Sequence, residues 1–535
     1  MTTYLAQIDA ALDRNDTPAA AALAEQALDA GQQDAILYNL AAWSHEEAGR
    51  FQEAEALLRA AIARYPKDPT LHLGLGVVQR KQGNLKASVV CFENAIRIDP
   101  RWPSPWYERG QSFEKGGAIA DAGRDYEHAL GLEPENAIAL AALASIHARQ
   151  GRSTEARQLA EHALRIDPGN LLAANALAQV ALEEKHHDAA VALLEPLATR
   201  DEGPRDTMVN TLTLLGDALE GLGRFDEAYD AYARAQQVFH QFHSQRLADE
   251  AGSSIGFLAR VAAGLTSARP REWSPADASS VEGAAATHVI LTGYPRSGTT
   301  LAENILASLP GAVAIEERPT LGLTDQEYLS RDEGLADLAQ ADAPTLARLR
   351  TDYWQRATRA AGRDLQDALF VDMDPFKGPR LPAIARLFPG AKVIITRRDP
   401  RDVVWSCFHT SFAFNAGTMS FTTLEDTARH YAASWAVTEA ALEQLPIDWF
   451  ELRYESLVSE FDETTQGLCR FLGADWSEDL RSFDRTAQRR GVTTASATQV
   501  RRGLYDGSGG WRRYQTYLKG VEPILAPWIE KFGYA

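Results

Sequence analysis

The sequence predicts two fold classes in series: an all-α helical solenoid over residues 1–250 and an α/β domain with a parallel sheet over residues 287–535. A helical extension and linker, 251–286, separates them. Three observations carry this expectation. Small and turn-forming residues recur every 34 positions in the first half. Short apolar runs alternate with amphipathic stretches in the second half. The first of those runs ends in a glycine-bounded turn, GYPRSGTT, Gly293 to Thr300.

A period of this length is the signature of a repeat architecture. Gly49, Gly83, Gly117 and Gly151 open the segments GRFQEAEALLRAAIARYPKDP, GNLKASVVCFENAIRIDP, GAIADAGRDYEHALGLEP and GRSTEARQLAEHALRIDP. The same step links Ala61, Ala95, Ala129 and Ala163, and links Pro66, Pro100, Pro134 and Pro168. GRFDEAYDAYARA resumes the pattern at Gly223 after an insertion of four residues. In such a pair of helices, glycine stops the first helix and proline follows the second. Small residues such as Gly76, Gly110, Ala144 and Ala178 let the two approach closely.

Over roughly residues 1 to 245 this pattern resembles the tetratricopeptide repeat family, in about six or seven helix pairs. The resemblance implies a surface for a peptide or protein partner or substrate, or for a homodimer. Trp43, Trp106 and Tyr107 are read as interhelical packing.

Residues 266 to 286 lose helical periodicity and collect Ser, Pro, Ala and Gly, the composition of a linker. Beyond it, HVILTG, ALFVD, AKVIITRR and DWFELRY read as strands, each followed by a helical stretch. Apolar runs this short, separated by helices, imply parallel strands covered on both faces, with ligands at their carboxyl ends.

Bulk properties narrow the function classes. A chain of 535 residues needs several cores, and a net charge of -19 offers no broad cationic face for nucleic acid or an anionic membrane. Cys91, Cys407 and Cys469 are too dispersed for a disulfide framework or a Cys-rich metal site. MTTYLAQIDAALDRND has no leader pattern, and no window approaches a membrane span, so a cytoplasmic location is expected.

The turn GYPRSGTT lies between a strand and a helix, the context of a phosphate site, but Thr299 stands where a nucleotide-triphosphate loop carries lysine. Backbone N–H groups and the Thr299 and Thr300 hydroxyls remain to hold a shorter anion. PRSGTT, Pro295 to Thr300, resembles the loop of sulfotransferases that use 3′-phosphoadenosine 5′-phosphosulfate (PAPS) and release adenosine 3′,5′-bisphosphate (PAP). The resemblance implies that Arg296, Ser297, Gly298, Thr299 and Thr300 hold the 5′ side of the donor, with Arg296 beside the sulfonate.

A second segment, VIITRRDPRDVVWSCF, resembles the family's 3′-phosphate motif, which implies that role for Arg398 and Ser406. Arg397, Arg401 and Asp402 are read as structural charges. LRYESLV matches a strand-end tyrosine segment and supplies Tyr454. VTTASATQVRRGLYDGSGGWRRY matches a late loop over the nucleotide and supplies Ser496, Gln499 and Arg501, with Trp511 and Tyr514 packing beneath.

Transfer needs a base for the acceptor proton. In the tyrosylprotein branch it is a glutamate at a spacing that here selects Glu317, with Glu316 as competitor and Arg318 as a neighbour able to hold either. His409 and His430 are read as non-catalytic. The resemblance implies sulfonate transfer without a metal, to an acceptor hydroxyl such as a peptide or protein tyrosine. One departure stands out: Met373 occupies the family's usual lysine position in VDMDPFKG, and Lys377 lies four residues on. Two alternatives stay open, a tetratricopeptide scaffold with a decayed nucleotide domain and an ATP-dependent kinase of small molecules.

Overall fold

The computed structural model describes residues 4–200, 204–249, 254–268, 273, 281–490, 496–501 and 503–535. Two compact units divide the chain, Met1–Gly203 and Pro204–Ala535.

The first unit is a run of helices from Tyr4–Leu12 to His187–Ala198. Its period is written in the backbone. Gly49, Gly83, Gly117 and Gly151 have φ between 72° and 84°, and Asn15 and Lys185, one step outside this set, hold the same left-handed conformation at 57° and 64°. At each such turn an orphan carbonyl is satisfied: Asn84 N–H donates to Gln79 O at 2.9 Å, and Arg152 N–H to His147 O at 2.9 Å. Small residues sit where the sequence placed them. A Cβ on Gly76 would lie 2.4 Å from the Phe92 ring, and one on Gly110 would lie 2.5 Å from Tyr126. Asp34, Asp68, Asn136 and Asn170 cap the first helix of their pairs, while Trp102 takes that position in the pair between without a side-chain cap.

The second unit opens with the helix pair Arg205–Gly221 and Phe225–Asp249, which continues the repeat pattern: Gly216 meets Tyr232 as Gly76 meets Phe92. The pair nevertheless belongs to the same compact unit as the sheet. Helix Ser254–Ala268 follows and buries Leu258, Val261 and Leu265. It therefore takes in residues 266–268, which the sequence reading had placed in the linker. Most of that linker, 269–272 and 274–280, lies outside the described residues.

Among the described residues the sheet has five strands: β1 (Thr287–Thr292), β2 (Ala312–Glu316), β3 (Leu369–Met373), β4 (Lys392–Arg397) and β5 (Asp448–Arg453). Their order is β2-β3-β1-β4-β5, and every pairing is parallel. The central strands read as continuous apolar runs because helices cover both faces. Val289, Leu291, Val371, Met373 and Ile394 join Leu301, Ile305, Leu468 and Leu472 in one core. This order brings the turn after β1 between the ends of β3 and β4, the crevice position of an open α/β sheet. Two long helices that the sequence reading did not single out, Ala343–Ala361 and Leu424–Gln444, complete the layers.

Candidate functional site

The turn after β1 is held by its own side chains. Ser297 Oγ donates to Tyr294 O at 2.6 Å, accepts from Tyr294 N–H at 3.2 Å and bonds Thr396 Oγ1 of β4 at 2.6 Å. Those contacts pull β1 and β4 together so closely that a Cβ on Gly293 would stand 2.2 Å from Thr396 Oγ1. Gly298, at φ 101°, precedes helix Thr299–Leu306, and a Cβ there would meet Tyr454 at 3.0 Å. Ser297 thus shapes the turn, while the helix presents its first N–H groups, which have no partner within the helix itself.

Arg296 is the meeting point of the site. Its backbone is left-handed, at φ 69°, which turns the side chain back toward β4. Nε donates to Ser406 Oγ at 2.9 Å, one terminal nitrogen to Ser496 Oγ at 2.6 Å, and the other to Gln499 Oε1 at 3.1 Å. Desolvation, then the charge of Arg398, lowers its pKa to about 10, which leaves it cationic near neutrality.

Arg398 follows β4 and lies over the Tyr454 ring, 4.6 Å from its centroid. One terminal nitrogen donates to Arg296 O at 3.1 Å, and the other reaches Gly507 O in the late loop. Its Nε is buried without a hydrogen-bond partner. Tyr454 OH donates to Tyr505 O at 2.6 Å and accepts from Gly507 N–H at 3.2 Å, so the late loop is pinned to the strand end.

Arg296, Gly298, Thr300, Arg398, Tyr454, Ser496 and Gln499 line one small cavity, together with Leu301, Val500, Gly503 and Tyr505. Ser406 reaches this group through Arg296. Ser297, Thr299 and Arg501 are not among the lining residues. Residues 492–495 and 502 of the predicted late loop lie outside the described residues.

Glu317 stands apart, at the end of β2, with β3 between it and the turn after β1. Two strand spacings, about 10 Å, separate those strands. Glu317 is the second left-handed side-chain-bearing residue of this unit, at φ 48°, and its N–H donates to Met373 O at 2.8 Å. The residue keeps an exposed surface. Protein crowded around its carboxyl, then the charges of Asp374, Glu316 and Glu303, push its pKa up to about 7 against the pull of Lys377. Asp374 and Glu303 were not foreseen. The strand register supplies Asp374, which follows Met373, the partner of Glu316.

Met373 is buried in the core, and Lys377, also buried, pairs with Asp372. Thr320 Oγ1 and Tyr353 OH donate to the same carboxylate at 2.8 and 2.7 Å. The remaining charges near the motif have protein partners. Arg397 pairs with Glu439 and Glu451, Arg401 with Asp399, and Asp402 accepts from Gly509 and Trp511 N–H. His430 is buried between Tyr294 OH and Ser254 Oγ, at 2.7 and 2.8 Å, and burial lowers its pKa to about 4. His409 is lowered to about 4 as well, chiefly by desolvation.

Among the described residues no group of three or more His, Cys, Asp or Glu is arranged to hold a metal ion. No helix among them is long and apolar enough to cross a membrane.

Comparison with known proteins adds three findings. Residues 288–478 match the model of the sulfotransferase family. Tetratricopeptide repeat models match 5–69, 39–103, 107–170, 150–206 and 209–238. A protein of Aquifex aeolicus (strain VF5), described as uncharacterized, is 27% identical over 371 residues, covering 65% of this chain and 45% of its own length. The chain thus spans less than half of that relative.

Similar solved structures include the APC/C hetero-tetramer Cut9–Hcn1, at 18% identity and TM-score 0.38, covering 46% of this chain and 49% of that one. A tetratricopeptide repeat protein from Parabacteroides merdae ATCC 43184 has 16% identity and TM-score 0.35, covering 44% and 91%. Pseudomonas aeruginosa pilF has 17% identity and TM-score 0.34, covering 42% and 99%. The chain joins tetratricopeptide repeats to a domain of the sulfotransferase family at residues 288–478.

Proposed function

We propose that the protein transfers a sulfonate from PAPS to an acceptor hydroxyl, with a peptide or protein tyrosine as the acceptor class that Glu317 and the repeat array suit best. The observation that carries this reading is the convergence of three distant segments on Arg296: its own turn, Ser406 after β4, and Ser496 with Gln499 in the late loop. Thr299, standing where a triphosphate loop carries its lysine, speaks against the kinase alternative.

The residues present fit such a donor. Thr300 and the turn before the helix line the cavity together with the cations Arg296 and Arg398, and the helix that follows offers its first N–H groups. PAPS supplies an activated sulfonate on its 5′-phosphate.

Glu317, near neutrality in pKa, takes the acceptor proton as the acceptor oxygen bonds to sulfur. Arg296 meets the charge that develops on the phosphate as the sulfur–oxygen bond to it breaks. Lys377 stays on Asp372 and acts on Glu317 through charge alone.

The test is incubation of the chain with sulfonate-labelled PAPS and tyrosine-bearing peptides. Label entering peptide, and lost in Glu317→Gln, is expected; label that stays in the nucleotide with every acceptor contradicts the reading.

A further inference from the structure

Helix Pro400–His409 carries Ser406 and begins just after Arg398, so its placement sets both groups assigned to the 3′-phosphate. Its first turn is fixed locally, with Asp399 accepting from Arg401 N–H. The far end is different. The last carbonyls of a helix have no partner within it and must find one elsewhere. Here the partner is Gln236, from helix Phe225–Asp249. Its side-chain amide donates to Phe408 O at 2.6 Å and to Thr410 O at 3.4 Å, and the residue is 6% exposed.

The surrounding contacts give that bond a rigid setting. The Trp405 ring, adjacent to Ser406, stacks on Tyr514 at 3.7 Å between centroids and meets Tyr232 edge-on at 5.9 Å. Tyr229 stacks on Tyr517 at 3.7 Å. Glu220, at the end of helix Arg205–Gly221, accepts from Tyr514 OH and Arg513, each at 2.9 Å. The last repeat-like helix pair is therefore packed and hydrogen-bonded against the helix that bears Ser406.

Resting on the donor reading above, we propose that Gln236 is a positioning residue for the donor site. By capping the end of helix Pro400–His409 it holds Ser406 against Arg296, and the last repeat pair works as a strut of the transferase domain. The 3′-phosphate is the ligand group that depends on it.

Two ligands separate this role from simple stability. Gln236→Glu keeps the shape and removes the donor, and Gln236→Asn keeps an amide one methylene shorter. For each full-length variant, calorimetry gives Kd for PAP and for adenosine 5′-phosphate, which lacks the 3′-phosphate. Gln236→Glu is expected to weaken PAP about tenfold, the size of a buried carbonyl losing its partner, while the monophosphate is unchanged.

Gln236→Asn is expected to weaken PAP less, and it carries the comparison if the glutamate variant does not fold. PAP affinity equal to wild type in both variants, or equal weakening of both ligands, overturns the positioning role. Wild-type protein that binds no PAP overturns the donor reading itself.

Discussion

Glu317 and Arg296 both adopt backbone angles that side chains other than glycine avoid, at a cost of about 1–3 kcal/mol each. In the second unit they are the two described residues to do so outside glycine, and they flank the end of β3. Such strain persists where the surroundings force a side chain into a working direction. For Glu317 the account predicts that Glu317→Gln lowers transfer by about 10²–10⁴-fold while PAP affinity holds, checked by turnover against calorimetry. Because its pKa lies at about 7 and a base works when deprotonated, kcat/KM should rise with pH through about 7 and level above it. A rate already flat below pH 6 would move the base elsewhere. Arg398→Ala should weaken PAP about tenfold or more and leave adenosine 5′-phosphate little changed.

At the scale of elements, the repeat turns and the turn after β1 make opposite predictions. Lys185 sits where four successive steps place glycine, at φ 64°, so Lys185→Gly should stabilise the first unit by about 1 kcal/mol, read from denaturant unfolding. Gly293→Ala should destabilise the second by about 1–3 kcal/mol and impair PAP binding, since its methyl would collide with Thr396.

Both features are legible in the sequence. The glycine period marks left-handed turns, and the strands announced themselves as short apolar runs because both sheet faces are covered. Helix Ala343–Ala361 was legible in principle through Leu346, Leu349, Tyr353 and Ala357 on one face, but no motif drew attention to it. The bond from Gln236 to Phe408 was not legible: its partners lie 172 positions apart, and although Phe408 closes the VIITRRDPRDVVWSCF segment, its part in the bond is a backbone carbonyl, which no side-chain pattern announces. The acidic setting of Glu317 was half legible: Glu316 is a sequence neighbour, while Asp374 arrives only through the register of β2 on β3.

Across the whole molecule, buried carboxyls tie stability to pH. Glu303, fully buried on the helix after the turn, accepts from Arg490 at 2.6 Å, yet burial outweighs that pairing and pushes its pKa up to about 7. Its folded value lies above the unfolded one, so the folded state binds the extra proton. The contribution is therefore complete below about pH 4 and lost as pH rises through about 7. The Tm of the chain should fall across that window, and Glu303→Gln should flatten the slope; a slope unchanged in the variant would assign the effect to other groups.

The central claim is that the cavity takes a nucleotide with a 3′-phosphate rather than a triphosphate. Titration calorimetry of the full chain with PAP and with ATP, each with and without magnesium, tests it most directly. The account predicts that PAP binds without magnesium and that Arg398→Ala weakens it. Tight ATP binding with no response to PAP would contradict it.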